Sequence, residues 1–254
     1  MVSMLKIDFK RSILNTWFAI SILAIALLHF IPIWYEMSVG AKADVYYFLY
    51  LSLNATETKL LMLPLCILPY GMSFCTDWDS HFFQYTIARK GVKQYAASRM
   101  ICVAATSFLV VFISLSLVVI VLSITFPLYN KGTIDGIPFM RLLDQNALLY
   151  YLSWFYCISF GAAFWADFSV FISAFMPNKF VVFFTPLVGF YLLNYVYLYS
   201  NMIPLLNLNI LANAGLDFGS TIVSLLYVAL VHLLFMTLML YGFQKKVQSR
   251  LING

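Results

Sequence analysis

Charge is what this chain has least of. Of its 254 residues only 10% are Asp, Glu, Lys or Arg, whereas 63% are hydrophobic. Soluble domains carry about a quarter charged residues and about half apolar ones. A freely soluble globular domain is therefore excluded, and the composition is that of an integral membrane protein. Recognisable reaction motifs are missing too. The sequence has no GxxxxGK[ST] phosphate loop, no HExxH, no GxSxG and no GxGxxG at a strand-to-helix junction, so nucleotide hydrolysis has no recognisable seat in it. Its four cysteines, Cys66, Cys75, Cys102 and Cys157, show neither CxxC nor metal-ligand spacing. They read as small apolar packers, and neither a disulfide framework nor a metal or cofactor is expected. The formal charge of +5 does not signal nucleic acid, because the basic residues sit at the ends of apolar runs, where they set membrane orientation.

What is present is a series of long apolar runs, which predicts a single all-α transmembrane domain over residues 1–254 with six spans. Residues 1–16 mix Lys6, Lys10 and Arg11 with Met4, Leu5, Ile7, Phe9, Ile13 and Leu14, the pattern of an amphipathic helix lying at the membrane surface. The spans are expected at 17–35, 60–74, 101–126, 147–176, 180–199 and 221–243. The second of them carries Pro64 and Pro69, which implies a kink that neighbouring helices must repair. Residues 45–53 are apolar but too short to cross, so an interfacial position is expected. Residues 200–219 are apolar yet broken by Pro204, Asn207, Asn209, Asn213 and Gly215, which suits a re-entrant or interfacial outer segment. In the fourth span Ala162, Ala166, Ser169 and Ser173 share one helical face, a small-residue stripe suited to close contact. With both termini placed in the cytoplasm, eleven of the fifteen basic residues fall inside, leaving Lys42, Lys59, Lys131 and Arg141 outside. That bias sets the expected topology.

The interval 74–99 stands apart. It is the one long polar stretch between apolar runs that also holds a dense basic cluster, Arg89, Lys90, Lys93 and Arg99, so it is expected on the cytoplasmic side. Asp77 and Asp79 are read as the start of a short helix, where carboxylates complement free amide groups. Trp78, Phe82 and Phe83 then recur at helical spacing, with Tyr85 and Ile87 behind them. An apolar face of that kind calls for a cover, and the segment reads as a docking element for a cytoplasmic partner.

Three ionisable residues, His29, Asp167 and His232, fall within spans. Such residues are candidates for a polar route through the bundle because lipid makes them costly, though neighbouring helices commonly satisfy them. They also support an alternative from another class, an intramembrane enzyme acting on lipid or peptide. A proton-coupled carrier is disfavoured by the scarcity of carboxylates in the spans and the lack of an internal repeat. Aromatic clusters at 150–156, 164–171 and 190–199 are read as interfacial anchoring and packing, in preference to a surface for amphipathic cargo, which such rings could also serve.

The interval 74–99 has the form Phe74-x-x-Asp77, a short helix, the basic pair Arg89-Lys90, then Tyr95 and Arg99. With the N-terminal amphipathic helix, six spans and a broken outer segment before the last, this layout resembles the membrane permeases of type-2 ABC exporters. Nearly the whole chain is covered by that layout, but the one motif-like part is this loop. One position departs, since Ser80-His81 stands where Gly is frequent in the family. The resemblance implies a half-transporter in a bacterial plasma membrane, paired with a second permease chain, identical or paralogous. Residues 75–99 would be the coupling loop, with Asp77, Trp78, Asp79, Phe82, Phe83, Tyr85, Arg89 and Lys90 meeting a separate ATPase subunit that binds ATP and Mg. The chain itself would not be an enzyme. Membrane lipid and an amphipathic peptide, a toxin or antimicrobial, would be its other partners, with no nucleic acid among them.

Overall fold

The computed structural model describes residues 2–38, 44–130, 139–200, 207–212 and 218–253, and its regular elements are all helices. Five are long and apolar enough to cross a membrane, which is the make-up of a multi-pass membrane protein. Residues 39–43 and 131–138, with the expected outer cations Lys42 and Lys131, lie outside the described residues. So do 201–206 and 213–217 of the expected re-entrant segment.

The chain opens with α1 (Val2–Ile13), whose last turn carries Lys10 and Arg11, cations that complement a helix C-terminus. Asn15 then makes the corner. Its Oδ1 accepts from the Trp17 amide at 3.2 Å while its Nδ2 donates to the Pro69 carbonyl at 3.1 Å. That corner starts α2 (Thr16–Ser38), the first long apolar helix. Next comes α3 (Val45–Asn54), capped by Asp44, which accepts from the Tyr47 amide at 2.8 Å. The same carboxylate accepts from the Asn130 amide at 2.8 Å, tying two loops together.

The apolar stretch 45–53 lies within α3. Val45, Tyr46, Phe48, Leu49, Ser52 and Leu53 are buried against neighbouring helices. Tyr46 sits among Tyr50, Tyr129, Tyr150 and Trp154, with ring centroids 5.9–6.2 Å apart. The aromatics of 150–156 are thereby largely consumed in packing.

The stretch expected as the second span arrives in pieces: α4 (Thr56–Ile67), a turn at 68–72 holding Pro69, and α5 (Ser73–Asp79). Twelve helical residues rise about 18 Å, short of a roughly 30 Å hydrocarbon core. This stretch is accordingly not among the five long helices. After α6 (Phe82–Lys90) comes α7 (Val92–Ser123), which begins well before the apolar run at 101 and takes the basic end of the polar interval into its first turns.

The short α8 (Met140–Gln145) leads to α9 (Ala147–Ser173), capped by Asn146 through the Leu149 amide at 3.2 Å. Of the five long helices, α9 is the most buried. The stripe Ala162, Ala166, Ser169 and Ser173 is buried along it. α10 (Lys179–Ser200), α11 (Leu208–Ala212) and α12 (Thr221–Asn253) complete the bundle, with α7, α10 and α12 packed around α9. α11 approaches so closely that a Cβ on Gly161 would stand 2.5 Å from the Ala212 Cβ. α12 continues ten residues beyond its expected end, carrying Lys245, Lys246 and Arg250 along the helix.

Candidate functional site

One end of the bundle gathers α1, the α5–α6 hairpin, the first turns of α7 and the last turns of α12. At its centre three charged side chains are buried together: Asp8 of α1, Asp77 of α5 and Arg99 of α7. Arg99, 1% exposed, donates to Asp77 and to the Tyr70 hydroxyl, and one of its amino nitrogens lies 3.7 Å from Asp8. Tyr95 donates to Asp77 at 2.9 Å. Asp8 accepts from Tyr70 at 2.8 Å and from Ser98 at 2.6 Å. The guanidinium also lies over two rings, 5.1 Å from the Tyr70 centroid and 5.3 Å from that of Tyr95.

Each carboxylate thus has more than one donor, which offsets the heavy desolvation of burying it. A guanidinium suits this position because its planar fork serves two partners at once. Phe74, buried beside the cluster, packs on Tyr95, Phe83 and Phe243. The loop positions Phe74, Asp77, Tyr95 and Arg99 therefore converge on one spot although they are separated in sequence.

The structure corrects several expectations for the docking element. Asp77 and Asp79 do not start a helix; they close α5, whose N-cap is Met72. The helix expected through residues 78–87 is broken at Ser80-His81. His81 takes the left-handed conformation, φ +55°, and forms the N-cap of α6 without a side-chain hydrogen bond. This is the position where the resemblance anticipates Gly. A residue with a Cβ is strained there, so His81→Gly is expected to raise stability by about 1 kcal/mol, read as a higher midpoint in chemical unfolding of the detergent-purified chain.

The aromatic face divides as well. Phe83 is 3% exposed and stacks on half-buried Trp78, ring centroids 4.7 Å apart, and the Arg250 guanidinium lies 4.7 Å over that indole. These two rings hold the hairpin to the bundle. Phe82 and Tyr85, 48% and 71% exposed, form the outward face. Asp79 pairs with Lys179 at 3.1 Å, both exposed, a contact worth at most about 1 kcal/mol. Arg89 and Lys90 are exposed in the last turn of α6. Together with Arg11 they rim a groove of about 520 Å³ between α1 and α6, walled by Met4, Ile7, Phe82 and Tyr85. Arg99, counted in the sequence with the basic cluster of this interval, is the centre of the buried group.

Among the described residues His29, Asp167 and His232 are not hydrogen-bonded to one another, although Phe160 both packs on His232 and lines the cavity that Asp167 borders. His29 Nδ1 is 3.2 Å from the Ser52 hydroxyl of α3. His232 Nδ1 donates to the Val228 carbonyl of its own helix at 2.8 Å, between Phe160 and Phe164. Asp167, 3% exposed, has an oxygen with no hydrogen-bond partner among the described residues, as have the Nε2 atoms of both histidines.

Asp8 and Tyr70 are the site residues that sequence reasoning passed over. Asp8 is the single acidic residue in the first sixteen and lies one turn from Met4 and one from Ser12. All three are buried, and a lone carboxylate on the buried stripe of a basic amphipathic helix was the available signal. Tyr70, in the turn after α4, had none. The chain matches no protein-family model, no curated protein and no solved structure.

Proposed function

We propose that this chain is the membrane permease subunit of an ATP-driven exporter of the type-2 ABC kind, moved by a separate ATPase that docks on the α5–α6 hairpin. In this reading α4, the turn after it and α5 complete a sixth crossing. Both termini and the hairpin lie in the cytoplasm of a bacterial cell, and residues 200–219 form the outer segment. The observation that carries the proposal is the convergence of Asp77, Tyr95 and Arg99 with Asp8. It fixes the hairpin simultaneously to the surface helix α1 and to the long helix α7.

A handle held this way transmits a push, because buried polar groups bonded to one another do not slide past one another as apolar contacts do. The push originates elsewhere, since the sequence carries no phosphate-binding loop. Phe82 and Tyr85 offer the partner an aromatic anchor, with Arg89 and Lys90 as a cationic rim. Docking of a helix into a groove works through such anchors.

A second permease chain would cover the exposed apolar faces of α2 and α10, the two least buried long helices. The substrate would be an amphipathic peptide moved between the two chains. Affinity purification of the tagged chain from membranes of its own host tests the proposal. Mg-dependent ATP hydrolysis is expected to co-elute with it, and an eluate without ATPase, active on peptide or lipid by itself, would overturn the proposal.

A further inference from the structure

Asp167 lies at the wall of a cavity of about 430 Å³ formed on the flank of the bundle by α7, α9 and α12. Apart from Asp167 the lining is almost wholly apolar, with Ala104, Phe108, Phe160 and Met236 among its residues. Thr237, which also lines it, spends its hydroxyl on the Leu234 carbonyl at 2.7 Å. No Lys or Arg lines the cavity, and the Asp167 carboxyl keeps an oxygen without a partner among the described residues. Buried polar atoms in native proteins are normally bonded, and carboxylates inside a membrane bundle normally have a partner. A largely apolar hollow of this size with one carboxyl and the Tyr156 ring in its lining has the make-up of a small-molecule site. Ile101 and Leu233, on α7 and α12, are 42% and 48% exposed at its mouth. The hollow therefore opens sideways, where lipid would lie, and not between α2 and α10.

We propose that this cavity binds a membrane-soluble cationic amphiphile, a single alkyl or aryl tail ending in a protonated amine, whose N–H donates to Asp167 while the tail fills the space among Phe108, Phe160 and Met236. The charge argument selects this occupant. The carboxyl is the one carboxylic acid in the lining, Tyr156 adding only a phenol, and among the described residues no Lys or Arg lines the cavity. An amine supplies both the missing donor and the missing charge, an alcohol supplies only a donor, and a fatty acid would bring a second acid beside the first. The ligand enters from the bilayer, so neither a second chain nor an ATPase is required. The proposal stands independently of the exporter reading.

The test is photolabelling of the full chain in lipid nanodiscs with a diazirine-bearing dodecylamine, compared with the matching alcohol and carboxylic acid, and with adducts located by peptide mass mapping. The amine is expected to label α7 and α12 residues around the cavity at least tenfold more than the alcohol, and the acid not at all. Asp167→Asn, nearly identical in size, should bring the amine down to the alcohol's level while the unfolding midpoint stays within a few degrees of native. Equal labelling by amine and alcohol, a hollow occupied by ordinary lipid tails, would overturn the proposal. So would labelling unchanged in Asp167→Asn, or adducts spread evenly over all the lipid-facing helices. Should Asp167→Asn fail to fold, the comparison of the three probes on the native chain decides alone.

Discussion

Replacing Arg99 by Ala is expected to lower the free energy of unfolding by about 3–5 kcal/mol, the range for removing one partner of a buried ion pair. The reason is what remains. Asp8 and Asp77 are both buried, and without the guanidinium they become two carboxylates sharing one apolar enclosure with only hydroxyl donors. Tyr70, Tyr95 and Ser98 cannot replace a full positive charge. Arg99→Lys keeps the charge but not the fork, and should recover about half of the loss, since an ammonium cannot serve Asp77 and Tyr70 in one planar arrangement. Adding Asp8→Asn and Asp77→Asn to Arg99→Ala should also recover part of it by removing the stranded charges. The measurement is chemical unfolding of the purified chain in mild detergent. A loss below about 1 kcal/mol for Arg99→Ala would mean that the cluster is wetter and looser than its geometry indicates.

The second large effect is expected on partner binding and not on folding. Phe82→Asp combined with Tyr85→Asp should weaken retention of the ATPase by at least 100-fold. Exposed aromatics are the usual energetic centre of an interface, and a carboxylate in their place must be desolvated without a partner. The stability of the chain itself should change by less than about 1 kcal/mol, because both side chains already face outward. Trp78 and Phe83 are poor choices for this experiment. Their stacking, together with the Arg250 contact over the indole, makes them part of the hairpin's attachment, so a charged substitution there confuses docking with folding. Loss of co-eluting ATP hydrolysis with an unchanged unfolding midpoint is the expected pattern. Undiminished hydrolysis would place the docking surface elsewhere.

The long helices were legible because span length and apolar composition are large signals that tertiary context seldom overrides. The start of α7 was not. Hydropathy places its beginning near Ile101, whereas the helix begins at Val92. Tyr95, Ser98 and Arg99 are polar in isolation and become core only when Asp8 and Asp77 arrive from elsewhere in the chain. For the same reason Arg99 could not be told apart from Arg89, Lys90 and Lys93 by sequence. The hairpin was half legible: composition identified its aromatic and basic character, but the break at His81 depends on a left-handed backbone that no helical periodicity reveals. Nor did spacing alone separate Phe82 from Phe83. Adjacent residues on a helix point about 100° apart, and only the packing of Trp78 and Phe74 decides which one turns inward. For the three ionisable residues within spans, the sequence identified each but said nothing of the groups that surround it.

The central claim is that the α5–α6 hairpin is a cytoplasmic handle, and sidedness tests it most directly. Tyr85 is the most exposed ring of the hairpin, and the four native cysteines are all buried. A Tyr85→Cys variant can therefore be probed with a membrane-impermeant maleimide against a low background. Modification in inverted membrane vesicles, with none in intact cells, is the predicted result; modification in intact cells would put the hairpin on the outer face, out of reach of any ATP-driven partner, and contradict the account.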